Sequence, residues 1–274
     1  MDYLVDLGLD VFVIDKDKNK KENPKATYYY KDIRKYLVDN LGIFAYADAV
    51  FHLAAEIYVQ KSLEFPDLFT SVNEVGTKNV LRHCVENKIK NLVFSSTASV
   101  YGDGPSTGSK ETDTVSCSNL YSMSKWNAEQ ICLTYTNSYG INITALRYSN
   151  VYGHGQDASS QYASAVSRFL DQKSKGEPLT VVGDGLQKRD FVNVEDVVEA
   201  NYVAYSNNHG FSLYNVGYGK SISILDLAKS ISDNIIFLPP RDGEWRETNL
   251  DITRIKDSLG WYPKVNIQDW ITNG

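Results

Sequence analysis

Apolar and polar positions along this chain alternate in the way that parallel α/β folds show. Short apolar runs, rich in β-branched residues, are separated by longer stretches with helical periodicity. We predict strands at 11–14, 28–30, 49–53, 92–95 and 142–147, a returning strand at 213–216, and helices at 72–87 and 121–138. Residues 150–190 and 218–274 contain more Gly, Pro and short elements, which indicates a smaller second lobe. The pattern favours a doubly wound parallel sheet.

Composition narrows the class of protein. With 274 residues and 42% apolar side chains, the chain can bury a substantial core. The net charge of -6 is spread over mixed stretches without a basic block, so we expect no nucleic-acid partner. We find no membrane-spanning run and no leader, and expect a cytoplasmic protein without a membrane partner. The 3 cysteines have no metal-ligand spacing, so we expect free thiols and no metal.

The beginning of the sequence lacks one part of such a fold. A dinucleotide-binding sheet starts with a strand, a glycine-rich turn and a helix, and an acidic residue follows about 20 residues after the glycines. Only 14 residues precede Asp15, and no GxxGxxG occurs anywhere. Residues 1–10 resemble the end of a helix that Gly8 terminates. We therefore expect the first strand and its loop to be missing, either because the sequence starts late or because another segment fills the slot.

A tyrosine and a lysine stand four residues apart in the helix predicted at 121–138. Tyr121 and Lys125 share one helical face, and a cationic neighbour favours the tyrosinate that a general base requires. The pair follows a strand that ends in three hydroxyl residues, and side chains at such strand ends face the ligand crevice of a parallel sheet. The spacing alone could arise by chance among 19 tyrosines, but its position predicts an acid–base pair.

With these residues, the chain resembles the extended short-chain dehydrogenase/reductase family over essentially its whole length, nearest to the UDP-hexose 4-epimerases. The resemblance implies a Rossmann-like sheet without its first strand and Gly-rich loop, and an interleaved substrate-binding lobe. It implies that Tyr121 is the catalytic acid or base, that Lys125 binds the nicotinamide ribose and tunes Tyr121, and that Thr97 binds the reacting hydroxyl.

The same resemblance implies that NAD is the cofactor and suggests where it binds. Asp15 matches the acid on the adenosine ribose and favours NAD over NADP, although the neighbouring Lys16 weakens this preference. Asp32 and Ile33 match the pair that touches adenine. The expected cofactor contacts further along the chain are Leu53, Ala54, Ala55, Ser95 and Tyr148.

Three residues of the second half match the family's nucleotide-sugar contacts. Asn150 follows the segment Leu-Arg-Tyr-Ser, and Arg189 and Arg241 match the two arginines that hold the diphosphate. Guanidinium groups suit a diphosphate because each makes paired, charge-assisted hydrogen bonds to phosphoryl oxygens. Each arginine alone could equally form a salt bridge with a neighbouring acid. We expect a UDP-sugar substrate.

The residues after Thr97 bear on the reaction. The family's sugar 4,6-dehydratases carry an Asp-Glu pair there, whereas this chain has Ala98 and Ser99, which supply no acid or base for an elimination. The resemblance therefore favours epimerisation at C4 through a 4-keto intermediate. The alternatives are a nucleotide-sugar dehydratase or reductase and a non-catalytic nucleotide-sugar-binding remnant.

The domain organisation follows from the same comparison. We expect residues 1–149, with a returning segment near 191–217, to form an incomplete NAD-binding domain, and residues 150–274 to form mainly the sugar-binding lobe. By analogy we also expect a homodimer that assembles through the helices at 72–87 and 121–138.

Overall fold

A computed structural model describes residues 1–18, 22–35, 47–156, 163–240 and 245–273. The helices are α1 Asp2–Asp6, α2 Val59–Glu64, α3 Pro66–Phe69, α4 Thr77–Glu86, α5 Leu120–Tyr139, α6 Ala165–Ser174, α7 Val194–Ser206, α8 Ile224–Ile231, α9 Thr253–Leu259 and α10 Ile267–Asn273. The strands are β1 Phe12–Asp15, β2 Thr27–Tyr30, β3 Ala49–His52, β4 Asn91–Thr97, β5 Asn142–Tyr148, β6 Asn150–Tyr152, β7 Leu179–Val182, β8 Lys188–Asn193, β9 Phe211–Val216, β10 Ser221–Ser223, β11 Ile235–Leu238 and β12 Glu247–Thr248. Over the described ranges, no helix is long and apolar enough to cross a membrane.

The chain divides into two compact units. Unit 1 comprises Met1–Ser95, Asn119–Ala145 and Asn208–Ser212, and unit 2 comprises Ser96–Ser118, Leu146–Asn207 and Leu213–Gly274. The strands β4, β5 and β9 each begin in unit 1 and end in unit 2. The assignment of cofactor and sugar binding to separate stretches of the chain stays a prediction.

Parallel strands dominate unit 1, as the sequence pattern predicts. β1 pairs with β2, and β3 pairs with β4 from Ala49 opposite Asn91 to His52 opposite Phe94. The latter pair belongs to a four-stranded sheet of order β3-β4-β5-β9. In the part of the chain that the structure describes, β1 and β2 form a sheet of their own, and no strand joins β1 to β3.

The central strand β4 is longer than expected. Leu92, Val93 and Phe94 are at most 1% exposed, as expected for a strand covered on both faces. The predicted strand at 92–95 omits Ser96 and Thr97, which continue the strand with only 4% and 7% exposure. The Thr97 hydroxyl can be buried there because its oxygen accepts a hydrogen bond from the Ser99 backbone N–H. Thr97 is therefore the last residue of β4 rather than a residue of the following loop.

The helix predicted at 72–87 consists of two parts. Residues Thr70–Gly76 form a π-helix, and α4 continues from Thr77 to Glu86. Within the π-helix, the side chain of Asn73 bonds to neighbouring segments rather than to its own helix. π-helical turns are rare and concentrate at functional sites, and sequence periodicity does not reveal them.

The helix α5 begins and ends at well-defined residues. The Asn119 side chain accepts the Ser122 backbone N–H at 2.9 Å, and the Ser122 hydroxyl faces the Asn119 backbone N–H in return, which completes a capping box. Gly140, with φ of 66°, ends the helix in the left-handed region. These ends place Tyr121 in the first turn of α5 and Lys125 one turn later.

Unit 2 holds a mixed sheet and a separate parallel pair. β8 pairs with β6 and β12 in parallel and with β10 in antiparallel orientation, and β7 pairs with β11 in parallel. A core of apolar side chains lies between these strands and the helices α6, α8 and α10. Its most buried members are Tyr152, Val166, Phe169, Leu179, Val181, Leu227 and Ala228.

Candidate active site

Lys125 is buried at the centre of unit 1. It is 3% exposed, and its Nζ lies 4.3 Å from the ring centroid of Phe94 on β4, which is a cation–π contact. Burial lowers the pKa of Lys125 to about 8, and the nearby Cys132 and Glu129 oppose this shift. Tyr121 lies one turn earlier on α5 and packs edge-on against Phe69, with 6.4 Å between the ring centroids. The structure thus brings the predicted pair to one face of α5.

His52, the last residue of β3, packs in the interior and connects this strand to α4. His52 is 4% exposed, and its Nε2 lies 2.8 Å from the Thr77 hydroxyl oxygen. Because that hydroxyl donates to the Asn73 carbonyl at 2.6 Å, its oxygen accepts the proton of His52 Nε2. Burial and then the charge of Lys125 lower the pKa of His52 to about 3, so the ring stays neutral.

The predicted adenosine contacts lie near the ends of β1 and β2. Asp15 ends β1, and its Oδ1 accepts the backbone N–H of Asp17 at 3.0 Å. Asp32 follows β2 and accepts the guanidinium of Arg34, which lowers the pKa of Asp32. Ile33 is buried, and a side chain at Gly76 would meet its Cδ1 at 2.6 Å.

The loop that follows β3 is open to solvent at its beginning. Leu53 is 61% exposed, Ala54 is exposed, and Ala55 is half-buried. The next residue, Glu56, is buried and accepts hydrogen bonds from Lys16 at 3.2 Å and from Lys61 at 2.8 Å. Sequence reasoning assigned no role to Glu56, because 40 residues separate it from Lys16.

A single asparagine connects this loop to α5. Asn73 is 1% exposed, and its Oδ1 accepts the Glu56 N–H at 2.8 Å. Its Nδ2 donates to the Glu56 carbonyl at 3.0 Å and to the Ser124 hydroxyl at 2.9 Å. Ser124 in turn donates to the carbonyl of Tyr121 at 2.9 Å. No sequence signal marks Asn73, since its partners lie 17 and 51 residues away.

The strand β4 passes from unit 1 to unit 2 after Ser95. Thr97 is its last residue and belongs to unit 2. The Thr97 hydroxyl accepts the Ser99 backbone N–H at 3.1 Å and caps a short 3-10 helix, Ala98–Tyr101. The two residues after Thr97 therefore belong to a helical turn and bring no carboxyl group to it.

The predicted sugar contacts of unit 2 lie on neighbouring strands. Asn150 on β6 donates from Nδ2 to the carbonyl of Asp190 at 3.0 Å, and Arg189 on β8 donates from Nη1 to the Lys188 carbonyl at 2.8 Å. Tyr148, an expected cofactor contact at the end of β5, donates its hydroxyl proton to Asn201 at 2.9 Å. Arg241 lies outside the described residues.

A buried carboxylate, which sequence reasoning missed, organises this part of unit 2. Asp190 is 0% exposed and accepts the backbone N–H groups of Tyr218 at 2.7 Å and Gly219 at 3.0 Å and the Ser149 hydroxyl at 3.2 Å. The Leu250 N–H adds a longer contact of 3.4 Å. Burial raises the pKa of Asp190 to about 6 in spite of these donors. Asp190 is therefore held firmly in place. Arg189 precedes it in the sequence, and the Asn150 side chain donates to its carbonyl.

An open cavity of about 380 Å³ also lies within unit 2. Its lining includes Gly183, Gln187, Pro240 and Arg246. The guanidinium of Arg246 pairs with Asp184 at 3.0 Å, which lowers the pKa of that carboxyl. Pro240 directly precedes Arg241 in the sequence.

The cysteines are free thiols, as predicted. Cys84 and Cys132 are fully buried, and burial raises the pKa of Cys84 to about 12 and that of Cys132 further. Cys117 is half-buried. No group of His, Cys, Asp and Glu that could hold a metal ion occurs among the residues that the structure describes.

Parallel strands, a tyrosine–lysine pair on one helix and an acid at a strand end are the features expected of a dinucleotide-dependent α/β enzyme. Residues 1–217 match the family described as the NAD dependent epimerase/dehydratase family. The chain belongs to this family. The expectations of an enzyme of the nucleotide-sugar epimerase and dehydratase class, and of NAD as its cofactor, are therefore confirmed.

Individual relatives agree with the family. A Methanocaldococcus jannaschii protein, named as a candidate UDP-glucose 4-epimerase, is 35% identical over 99% of this chain and 91% of its own. The UDP-glucose 4-epimerase of Thermotoga maritima, solved with UDP-glucose, superposes with a TM-score of 0.90 at 30% identity, covering 98% of this chain and 91% of that one. The Thermus thermophilus UDP-glucose 4-epimerase, solved with NAD, gives a TM-score of 0.89 at 30% identity with the same coverage.

Proposed function

We propose that this protein inverts the C4 hydroxyl of a UDP-hexose with NAD through a 4-keto intermediate. The observation that carries the proposal is the buried Lys125 one turn from Tyr121 on a helix whose ends are fixed by capping. An ammonium beside a phenol favours the tyrosinate, so Tyr121 removes the proton of the 4-hydroxyl while the C4 hydride goes to NAD. NAD, when bound, would supply the hydride acceptor and donor at C4. The sugar rotates before the hydride returns to its opposite face.

The surroundings of Thr97 favour epimerisation over dehydration. Elimination of water needs an acid and a base beside the sugar, in addition to the tyrosine. Ala98 and Ser99 form a helical turn after Thr97 and supply neither group. Thr97 itself is expected to bind the reacting hydroxyl.

Unit 2 provides groups suited to a nucleoside diphosphate. We assign the UDP part to Asn150, Arg189 and Arg241, because guanidinium forks match phosphoryl oxygens in charge and shape. Unit 2 also holds a cavity, lined by Gln187 and Arg246 among others, whose volume fits part of a nucleotide. The names of the solved relatives, which include a complex with UDP-glucose, point to the same ligand.

The test is an NMR assay for C4 inversion on UDP-glucose, UDP-galactose and their N-acetylated forms in the presence of NAD. We expect inversion by the wild type and a loss of kcat of about 10²-fold or more in Tyr121→Phe, because the acid–base group is removed. Tyr135→Phe on the same helix is the matched control and should keep full activity. Formation of a dehydrated 4-keto sugar instead of the C4 epimer would support a dehydratase, and UDP binding without turnover would support a non-catalytic remnant.

We further infer a homodimer through the π-helix, α4 and α5. The apolar side chains of Val75 and Met123 are 43% and 44% exposed on these helices, and Tyr139 is 54% exposed at the end of α5. Such side chains favour burial against another surface. Sedimentation equilibrium should give twice the monomer mass for the wild type and a monomer for Met123→Lys. A monomeric wild type at micromolar concentration would exclude the dimer.

A further inference from the structure

The most informative cluster outside the reacting centre is a carboxylate held between two ammonium groups in unit 1. The Oε1 atom of Glu56 lies 3.2 Å from Lys16 Nζ, and its Oε2 atom lies 2.8 Å from Lys61 Nζ. The Glu56 side chain is 9% exposed, whereas that of Lys16 is 51% exposed. Burial alone would raise the pKa of Glu56, but the two lysines outweigh it and lower the pKa, so Glu56 is ionised at neutral pH.

The backbone of Glu56 is held from a second direction. Its N–H and its carbonyl both bond to the buried Asn73 side chain, at 2.8 and 3.0 Å. Asn73 also bonds to Ser124 on α5. The backbone of Glu56 is therefore held by the π-helix and, through Asn73, connected to α5.

Lys16 is the residue directly after Asp15, the expected ligand of the adenosine ribose. In dinucleotide-binding folds, an acid at this place bonds to the ribose 2′-hydroxyl, and a cation beside it accommodates a 2′-phosphate. An unpaired Lys16 would thus favour the phosphorylated dinucleotide. Arg34, another cation near the ends of these strands, is paired with Asp32 at 2.8 Å.

We propose that Glu56 is a specificity-determining residue, which selects NAD over NADP by holding the Lys16 ammonium away from the 2′ position of the ribose. This inference rests on the proposed role of Asp15. It removes the ambiguity that Lys16 introduces in the sequence, because an ammonium paired with a buried carboxylate is drawn towards that carboxylate. Lys61 completes the arrangement by holding the other carboxylate oxygen.

The experiment is a calorimetric titration of the full chain with NAD and, separately, with NADP. We expect the wild type to bind NAD more tightly. Glu56→Gln keeps the shape of the side chain but releases Lys16, and should strengthen NADP binding about fivefold while NAD binding changes less than about twofold. Lys61→Met is the matched control, since it removes the other ammonium and leaves the Lys16 pair intact, and should show no gain for NADP.

Two further variants assign the effect to Lys16. In Glu56→Gln/Lys16→Met, the gain for NADP should disappear. Lys16→Met alone should leave NADP binding within about twofold of wild type, because the wild-type ammonium is already paired with Glu56. NAD binding with no change of preference in Glu56→Gln, or a gain that survives removal of Lys16, overturns this inference alone. Failure of the wild type to bind either dinucleotide overturns the cofactor role of Asp15 and this inference together.

Discussion

The buried carboxylate of Asp190 makes the stability of this protein depend on pH in an unusual direction. Its pKa rises from 3.8 to about 6 on folding, mainly because of burial. A raised folded pKa means that the native state holds the proton more tightly than the unfolded chain. The resulting stabilisation is complete below about pH 4 and is lost as the pH rises through 6.

The magnitude follows from the shift. One pKa unit corresponds to about 1.4 kcal/mol, so the full shift corresponds to about 3 kcal/mol, of which about 2.5 kcal/mol falls between pH 4 and 7.5. Asp190→Asn cannot titrate. The amide N–H of the introduced asparagine faces backbone donors such as the Gly219 N–H and finds no acceptor there. This mismatch lowers the free energy of unfolding by about 1–3 kcal/mol at acidic pH. The variant should therefore be less stable than wild type at pH 4, and the difference should shrink by about 2.5 kcal/mol by pH 7.5.

Urea unfolding, followed by tryptophan fluorescence at half-unit steps of pH, measures this difference. The control is Asp257→Asn, at an exposed position of α9. Subtraction of the wild-type curve from that of Asp190→Asn isolates the one carboxyl group, because all other titrating groups are shared. A difference that stays constant or grows with rising pH would refute the reasoning and would mean that the four donors outweigh burial.

Three other perturbations test features of unit 1. Asn73→Ala removes three buried hydrogen bonds and should lower the free energy of unfolding by about 2–4 kcal/mol in urea denaturation. The control Asn127→Ala removes one half-buried hydrogen bond and should lower it by less than about 1 kcal/mol. Gly76→Ala should cost about 1–3 kcal/mol because its Cβ meets Ile33, and the double variant with Ile33→Ala should be less than additive in a thermodynamic cycle. In the native protein, a thiol reagent should modify Cys117 alone, and urea should release the two buried thiols; fast reaction of all three without urea would contradict their burial.

Much of the fold could be predicted because its signals are local. The apolar run that becomes β4 and the capping residues around α5 lie within a few residues of one another, and the strand and helix predictions there differ from the structure by one or two residues. The π-helix was not predicted, since its hydrogen bonds shift by one residue without changing the apolar pattern.

The residues of the candidate site were likewise predicted where their signals are local and missed where they are not. Tyr121 and Lys125 were predicted from their spacing together with their position after a strand that ends in hydroxyl residues, and the family resemblance supplied the expected roles of residues such as Asn150 and Arg189. Glu56 and Asp190 were missed because each acts through partners distant in sequence, 40 residues away for Lys16 and 28 for Tyr218. Buried polar networks of this kind depend on three-dimensional placement, which no single-sequence pattern encodes.

The interleaving of the two units restricts how this protein can change by recombination. The chain passes from one unit to the other after Ser95, Ser118, Ala145, Asn207 and Ser212. Three of these passages lie inside strands, at β4, β5 and β9. Each unit is encoded by several separate stretches of the gene, so a single continuous segment cannot carry a whole unit. A crossover inside one of the three strands would join two half-strands whose side chains had not evolved together. Point substitution and loop exchange, by contrast, leave the three shared strands intact.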